Sequence, residues 1–386
     1  MRRILIPVLT AHYLAAFTAL GIPVFLPKIL GQLAPHAPVW LAGALYVLPT
    51  ICTALTASSW GRLADRYGRK LSLMRALIGL VFGFMLAGLA PNLGVFALAL
   101  IIQGSCGGSL AAANAYLATQ LGRNELSRAL DWTQFSARLA MLTGPILLGL
   151  AIDHGNPQRL YAYLSLLPML GLCISLQLPA DSPSPRPAQS ASAGRTDPLP
   201  WGLLAVQFLY YFAVVVTFPY FVTYCHQLGI TSDALAGLLY SLPHLVYLIA
   251  LPWLRLSSAR PQRLLGLGLC ILSGASLLQA LPLHPGWLAV TRALYGAGMT
   301  VTICSLNHLL SARASQTHAG RLFGVFDACG KWAGAAGGLA SGLLVHHYTL
   351  ATPFVAAAIA ASAALLTAIL VSFLEKRSLH VAASDA

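Results

Sequence analysis

The chain has 386 residues, of which 58% are hydrophobic and only 9% are charged, and its mean hydropathy is +0.74. A soluble domain carries about 25% charged residues, because its surface faces water. This composition excludes a soluble enzyme and, despite the net charge of +13, a nucleic-acid-binding protein. Apolar runs of about 20 residues recur along the chain, each long enough to cross a hydrocarbon core of about 30 Å. Because the strands of a β-barrel are short and alternating, these runs predict an all-α integral membrane protein instead.

The apolar runs predict twelve transmembrane helices in two sets of six. The first set lies near residues 5–27, 39–60, 71–90, 93–118, 129–152 and 159–178, and the second near 201–224, 233–254, 264–283, 287–311, 320–346 and 351–373. A stretch rich in Pro, Ser and Ala separates the sets and is predicted to be a flexible linker. The predicted organisation is an N-terminal six-helix bundle (1–179), a cytoplasmic linker (180–199), a C-terminal six-helix bundle (200–375) and a cytoplasmic tail (376–386).

The basic residues of the loops are distributed unevenly between the two sides of the membrane. The side that holds both termini and the linker carries seventeen Lys and Arg residues, and the other side carries only Lys28 and Arg159. Since cytoplasmic loops collect basic residues, both termini are predicted to be cytoplasmic. The first apolar run also allows a secretory signal, but it has full span length and no convincing cleavage site. We therefore expect a multi-pass protein of the bacterial inner (cytoplasmic) membrane.

The two predicted halves resemble each other in sequence. A shift of 193 residues superposes Asn114 on Asn307, Arg128 on Arg321 and Arg138 on Lys331. Matches between polar residues carry most weight here, because small-residue matches are common in a chain rich in Ala and Gly. Six-helix units repeated about the membrane normal are a known architecture of secondary transporters, with the substrate site between the halves. The repeat therefore predicts two pseudo-symmetric bundles around a central cavity.

The loop between the second and third spans reads Gly-Arg-Leu-Ala-Asp-Arg-Tyr-Gly-Arg-Lys over residues 61–70. Glycines permit close approach and a tight turn, and an acid such as Asp65 can pair with a basic neighbour or cap a helix N-terminus. The alternative is a merely solvated basic loop. The segment closely resembles the corresponding loop signature of the major facilitator superfamily, and the predicted architecture extends that resemblance over nearly the whole chain. The resemblance implies alternating access, with a conformational latch formed by Gly61, Asp65, Arg66, Gly68 and Arg69.

Within that superfamily the chain resembles the drug:proton antiporter group. The fifth span contains Gly144, Pro145 and Gly149, a partial match to that group's Gly-Pro signature, and we expect a helix bend there. The group's fourth-span pattern, Arg-x-x-Gln-Gly, is present here as Leu100 to Gly104, so leucine replaces the arginine that the group uses in proton coupling. The fourth and fifth spans also resemble bacterial siderophore exporters, which carry metal-free chelators out of the cell.

Charged and polar residues inside predicted spans are functional candidates, because a charge at mid-membrane costs at least about 2.5–3.5 kcal/mol. Asp131, Gln134 and Arg138 share one face of the fifth span, and Asp327 and Lys331 are four residues apart in the eleventh. Asp131 could instead be interfacial, and Asp327 could simply neutralise Lys331. The full set predicted for substrate binding or coupling is Asp131, Gln134, Arg138, Asp327, Lys331, Arg292, Arg75, Asn114, Asn307 and Gln103. Arg75 could also snorkel, and the amides could be interhelical hydrogen bonds.

Four cations against two acids inside the membrane favour an organic anion as substrate, because guanidinium groups bind carboxylates in a bidentate manner. The sequence favours efflux of a small polar or anionic molecule, with a siderophore preferred and a proton gradient as the energy source. A multidrug antiporter and an organic-acid uptake symporter are alternatives, and a non-transporting sensor or enzyme is a more distant one. No enzymatic activity, cofactor or metal site is expected. The expected partners are the substrate and the lipid bilayer, with no nucleic acid, and the protein is expected to be monomeric.

Overall fold

The computed structural model describes residues 2–181, 199–256, 260–281, 284–313 and 319–384. The secondary structure of these residues consists of sixteen α-helices and one short 3-10 helix, with no strand among them. The all-α fold predicted from the sequence is therefore confirmed. Most of the predicted linker (182–198) lies outside the described residues. The predicted tail continues the last helix as far as Ser384.

The helices of the first half are α1 (Arg2–Gly21), the 3-10 helix Ile22–Phe25, α2 (Leu26–Leu33), α3 (Leu41–Tyr67), α4 (Arg69–Gly88), α5 (Leu93–Ser105), α6 (Ser109–Gln120), α7 (Arg123–Asp153), α8 (Pro157–Leu164) and α9 (Leu166–Leu176). Those of the second half are α10 (Trp201–Val215), α11 (Phe221–Gln227), α12 (Asp233–Leu256), α13 (Pro261–Gln279), α14 (Pro285–Arg313), α15 (Ala319–His347) and α16 (Thr352–Ser384). The predicted first, fourth, sixth and seventh spans are each divided into consecutive helices.

Nine of the described helical segments are long and apolar enough to cross a membrane. They match nine of the twelve predicted spans. The remaining three correspond to the α10–α11 pair, whose first helix is only 15 residues long, and to α14 and α15. These last two have 29 residues each but carry charged side chains within the helix. For these three spans, crossing of the membrane stays a prediction.

Local sequence signals account for several helix boundaries. Asn92 caps α5 by accepting a hydrogen bond from the Val95 amide at 3.0 Å, and Asn156 caps α8 in the same way. These caps satisfy amides that have no partner within the helix. Gly68 separates α3 from α4 with φ of +102°, a conformation that favours glycine. The turn between the second and third spans is therefore tight, as the sequence predicts.

The chain packs as two bundles. In the first half α1 packs against α7 and α9, and α4 packs against α5, α8 and α9. In the second half α13 packs against α14 and α16, and α10 packs against α15 and α16. The main contacts between the bundles are α7 with α12 and α3 with α15. We call the end of the bundles that holds both termini the terminal end, and the opposite end the distal end.

The bundles are in contact at the distal end. A Cβ at Gly43, in the first turn of α3, would lie 2.5 Å from the Gly338 carbonyl oxygen of α15. The Gly43 amide also donates a hydrogen bond to the Tyr220 hydroxyl of the second half at 3.0 Å. The buried residues of α3 all lie in its first seven positions. The distal end is therefore closed.

The terminal halves of the same helices are exposed. Leu55 of α3 is 64% exposed, Trp132 of α7 is 50% exposed and Phe323 of α15 is 42% exposed. These large apolar side chains lie on the helices that face each other across the bundle interface. We infer that the bundles part toward the terminal end and that the space between them opens there.

Candidate substrate cavity between the bundles

A cavity of about 260 Å³ lies where the fourth span is interrupted. Helix α5 ends at Ser105 and α6 begins at Ser109, and Gly108 between them has φ of +91°. Gly107, Gly108 and Ser109 line the cavity together with side chains of α1, α3, α7 and Lys331 of α15. Interrupted helices often form the substrate sites of secondary transporters, because the break frees backbone groups for binding.

Two hydrogen-bond donors from different bundles reach this cavity. Gln103 of α5 is 7% exposed, and its amide nitrogen has no acceptor among the described residues. Lys331 crosses from the second bundle and contributes an ammonium group to the same wall. Around them lie Tyr46, Thr50 and Thr53, and the Thr53 hydroxyl bridges the break by donating to the Gly104 carbonyl at 2.8 Å. The cavity therefore favours a ligand that accepts hydrogen bonds.

Asp327 and Lys331 form an ion pair on α15. The Lys331 ammonium lies 2.7 Å from the Asp327 carboxylate, and the two side chains are 31% and 67% exposed. Their pairing fits both the functional and the neutralising interpretations of the sequence. The carboxylate is the more exposed partner of the pair, while Lys331 lies at the cavity wall.

Arg138 joins the two bundles beside this pair. Its guanidinium lies 4.4 Å from the centroid of the Tyr247 ring, and Nη1 lies 3.4 Å from Nδ1 of His244. Both partners belong to α12. Sequence equivalence predicts matching roles for Arg138 and Lys331, and the structure brings both to the bundle interface.

The other residues predicted on the same helices lie in different surroundings. Asp131 and Gln134 are exposed on the terminal half of α7. Asn114 accepts a hydrogen bond from the Thr133 hydroxyl at 2.8 Å, within the first bundle. Asn307, its equivalent in the repeat, is exposed on α14. The pseudo-symmetric pair of asparagines therefore does not form a common site.

Arg292 and Arg75 lie away from the cavity. Arg292 is fully buried inside the second bundle, where it donates to the Leu239 and Tyr240 carbonyls and lies 4.3 Å from the Phe221 ring centroid. Arg75 lies over the Trp60 ring at 4.1 Å, between α3 and α4. The contacts of Arg292 favour a structural role, because its guanidinium is already surrounded by aromatic rings and acceptors. Arg75 donates to Ser72 of its own helix, and its Nη1 atom is buried with no hydrogen-bond partner among the described residues.

The contacts described for the motif between the second and third spans lie within the first half of the chain. Asp65 pairs with Arg69 at 3.2 Å, Arg66 lies over the ring of Tyr67, and Gly61 is exposed. The N-terminus of α4 is capped by Asp181, whose carboxylate accepts hydrogen bonds from the amides of Arg69 and Lys70. Of the two possibilities for Asp65, pairing is therefore observed, and its role as a latch between bundles stays a prediction.

Gly144, Pro145 and Gly149 bring α7 close to its neighbours. A Cβ at Gly144 would lie 3.0 Å from Cα of Gly21 in α1, and the Gly149 backbone lies against Asp233 of α12. Helix α7 runs without interruption through Pro145. The motif therefore serves close helix packing in this structure, since small residues let backbones approach in a membrane. The predicted bend stays a prediction.

A cluster of charged residues at the distal end was missed by the sequence analysis. Asp233, which is fully buried, forms an ion pair with Lys28 of the first bundle and lies 3.0 Å from Nε2 of His226. Asp153 of α7 accepts hydrogen bonds from the amides of Asp233 and Ala234 at 2.8 and 3.2 Å. We call Lys28, Asp153, His226 and Asp233 the distal clasp. Lys28 and Asp153 are far in sequence from His226 and Asp233, and each of the four lies at a predicted span end, where charged residues are ordinary.

Comparison with known proteins agrees with this geometry. The family model described as the Major Facilitator Superfamily matches residues 5–338. The chain belongs to the major facilitator superfamily. It is 27% identical over 321 residues to the multidrug resistance protein MdtG of Salmonella arizonae, covering 78% of each chain. The MdtG protein of Salmonella typhimurium shows the same identity and coverage. The major facilitator fold predicted from the loop motif is thus confirmed.

Solved structures of the superfamily share the fold at low sequence identity. A transporter of the POT family in complex with 5-aminolevulinic acid has a TM-score of 0.78 at 12% identity, covering 97% of this chain and 96% of that one. The human organic anion transporter MFSD10 has a TM-score of 0.69 at 18% identity, covering 95% and 99%. At these identities the similarity concerns the fold alone. It supports the two-bundle fold, and the substrate has to be argued from the cavity.

Proposed function

We propose that this major facilitator superfamily transporter exports a small polar or anionic organic molecule from the cytoplasm by proton antiport. A carboxylate-bearing chelator of the siderophore type is the preferred substrate. The observation that carries the proposal is the pair of donors at the cavity wall, the Lys331 ammonium and the unpaired Gln103 amide. An anion that accepts from both would bridge the two bundles.

The charge balance of the interface supports an anionic substrate. Arg138 is compensated by the Tyr247 ring and His244, and no carboxylate contact is described for it. Asp327 neutralises Lys331 from an exposed position. A substrate carboxylate can replace Asp327 at Lys331 without leaving a buried charge unpaired, because Asp327 remains in contact with solvent. A lipophilic cation in the cavity would meet the ammonium of Lys331 and would be repelled.

The closed distal end supports a cycle of alternating access. With the orientation predicted from the loop charges, the terminal end is cytoplasmic, so the cavity of this structure opens to the cytoplasm. This is the state in which an exporter takes up its substrate. Release then requires the distal contacts, including Gly43 with Gly338, to separate while the terminal ends close.

At the Asp327–Lys331 pair, binding of a proton does not oppose binding of an anionic substrate. Protonation of Asp327 frees Lys331, so locally a proton would help an anion to bind. Exchange in opposite directions therefore requires the two ligands to favour opposite orientations of the bundles. In the proposed cycle the proton favours the state that is open to the cytoplasm, and the substrate favours the state that is open to the outside.

Metabolite profiling of cells and medium tests the proposal. A strain lacking the gene is complemented with the wild-type protein, with Lys331→Gln, or with Arg159→Gln, which removes an exposed positive charge that does not line the cavity. The expected result is an organic anion that accumulates inside the deletion strain and is restored to the medium by the wild-type and Arg159→Gln proteins but not by Lys331→Gln. An unchanged set of exported compounds in the deletion strain would refute the export of a specific anion.

Multidrug efflux is the second candidate, because the relatives at 27% identity are multidrug resistance proteins. It predicts that deletion increases sensitivity to several chemically unrelated compounds without changing the exported metabolites. Uptake of an organic acid by symport would use the same cationic cavity. It predicts the opposite sign in the profiling experiment, with the acid depleted inside the deletion strain and retained in the medium.

A further inference from the structure

The distal clasp contains an imidazole in direct contact with a buried carboxylate. Nε2 of His226 lies 3.0 Å from Oδ1 of Asp233, and each atom is buried and has no hydrogen-bond partner among the described residues. The side chain of His226 is 34% exposed, and it lines a cavity of about 510 Å³ between the bundles at the distal end. The imidazole therefore contacts Asp233 on one side and a space that protons can reach on the other.

The groups around the imidazole carry a net negative charge. Helix α12 contributes Asp233, α7 contributes Asp153 and α2 contributes Lys28, so two acids face one base. The remaining wall of the cavity is formed by uncharged residues: Val24, Phe25, Pro27, Val222, Thr223 and Thr231. The carboxylate of Asp153 already accepts from two amides and from the Ser232 hydroxyl. A proton added to His226 balances the charges of the clasp.

We propose that His226 is a proton-binding site of the closed distal clasp, so that closure of the distal end takes up a proton from the outside. The neutral imidazole lies against Asp233 without a hydrogen bond between Nε2 and Oδ1. An additional proton makes the imidazole a cation and converts the contact into an ion pair, with no other bond made or broken. This inference rests on the alternating access of the proposed function and names the group through which protons favour one orientation.

The direction of the effect follows from thermodynamic linkage. His226 and Asp233 both belong to the second bundle, so separation of the bundles leaves them together but removes Lys28 and Asp153 and admits water to Asp233. In the closed state the buried Oδ1 atom of Asp233 has no hydrogen-bond partner and a protonated His226 can satisfy it, whereas in the open state water can do so. The closed state is therefore expected to bind the proton more tightly, so acidification must favour closure, and the coupling is reciprocal. An acidic exterior would then favour the state that loads substrate from the cytoplasm.

Distance measurements between spin labels test this proposal. Labels are placed at Pro91 and Tyr348, two exposed distal positions on different bundles, in a background without the seven native cysteines. The purified protein in lipid nanodiscs is titrated from pH 8 to pH 5 without substrate. We expect the ratio of distal-closed to distal-open molecules to rise by about fivefold or more, the range typical of coupled sites. His226→Gln is expected to lose this dependence on pH.

The matched control is His154→Gln, because His154 lies at the same end and the hydrogen bond described for it is with the Leu150 carbonyl of its own helix. It should respond to pH as the wild-type protein does. A pH response that persists in His226→Gln, or that is equally lost in His154→Gln, overturns the proposal, as does a wild-type ratio that does not change with pH. His226→Asn serves if the glutamine variant does not fold. Transport is measured in parallel. If the anion is exported but the distal label distances respond to pH equally in the wild-type protein and in His226→Gln, this inference is refuted and the proposed function stands.

Discussion

The distal contact between α3 and α15 allows a sharp test of alternating access through Gly43→Ala. A Cβ at this position would lie 2.5 Å from the Gly338 carbonyl oxygen and 2.9 Å from the Gly342 nitrogen, whereas ordinary contact begins at 3.4 Å. Both neighbours are backbone atoms, so relief requires the helices to separate by about 1 Å. Overpacking of this kind costs about 1–3 kcal/mol. The gain in helix propensity from Gly to Ala applies to both orientations and cancels.

The ratio of distal-open to distal-closed molecules is expected to rise by about fivefold to 150-fold. This factor is the overpacking cost of about 1–3 kcal/mol expressed as a change in the equilibrium constant. The assay is the distance between labels at Pro91 and Tyr348 at a fixed pH. The control is Gly31→Ala, since Gly31 also lies at the distal end and a Cβ there meets nothing within 4 Å. A distribution for Gly43→Ala that matches both the wild-type protein and the control would refute the idea that this contact holds the distal end closed.

Three further predictions concern charged residues. Lys331→Gln should lower the rate of organic-anion export by about tenfold or more, while Lys331→Arg retains part of it, as measured by efflux from loaded cells. Equal rates for the wild-type protein and Lys331→Gln would exclude a need for a cation at the binding site. Arg292→Ala should lower the free energy of unfolding by about 3 kcal/mol or more, measured by thermal unfolding in detergent, because it empties the largest fully buried side-chain site. Lost substrate binding at unchanged stability would instead restore the substrate role predicted from its sequence. The double variant Asp131→Asn with Asp327→Asn should abolish export driven by a pH gradient, and efflux that still follows the imposed gradient would remove these acids from the coupling scheme.

The fold class was predictable because membrane burial leaves strong signals in sequence. Long apolar runs, few charges and a repeated polar pattern fix an all-helical, two-bundle protein before any contact is known. The pairing of Asp327 with Lys331 was equally accessible, because residues four apart share a helix face. Such inferences depend on neighbours along the chain, and the structure supports them.

The sequence did not predict in the same way which charged side chains face the bundle interface. Arg292 and Lys331 look alike in sequence, as basic residues in the middle of apolar runs, yet Arg292 faces the interior of its own bundle and Lys331 faces the cavity. The direction that a helix face takes depends on the packing of neighbouring helices. The break between α5 and α6 had a signal in Gly107 and Gly108. In a chain with 34 glycines that signal did not stand out.

Arg138 and Lys331 occupy equivalent positions in the two halves, and their different partners suggest different roles in substrate binding. Arg138 is held by an aromatic ring and an imidazole across the interface, and neither partner is an anion that a substrate carboxylate would replace. Lys331 is held by an exposed carboxylate that a proton or a competing anion can displace. Only the second cation can therefore change partners during a cycle. The substrate is expected to meet Lys331 as its exchangeable contact, with Arg138 supplying a fixed positive potential that raises the local affinity for anions.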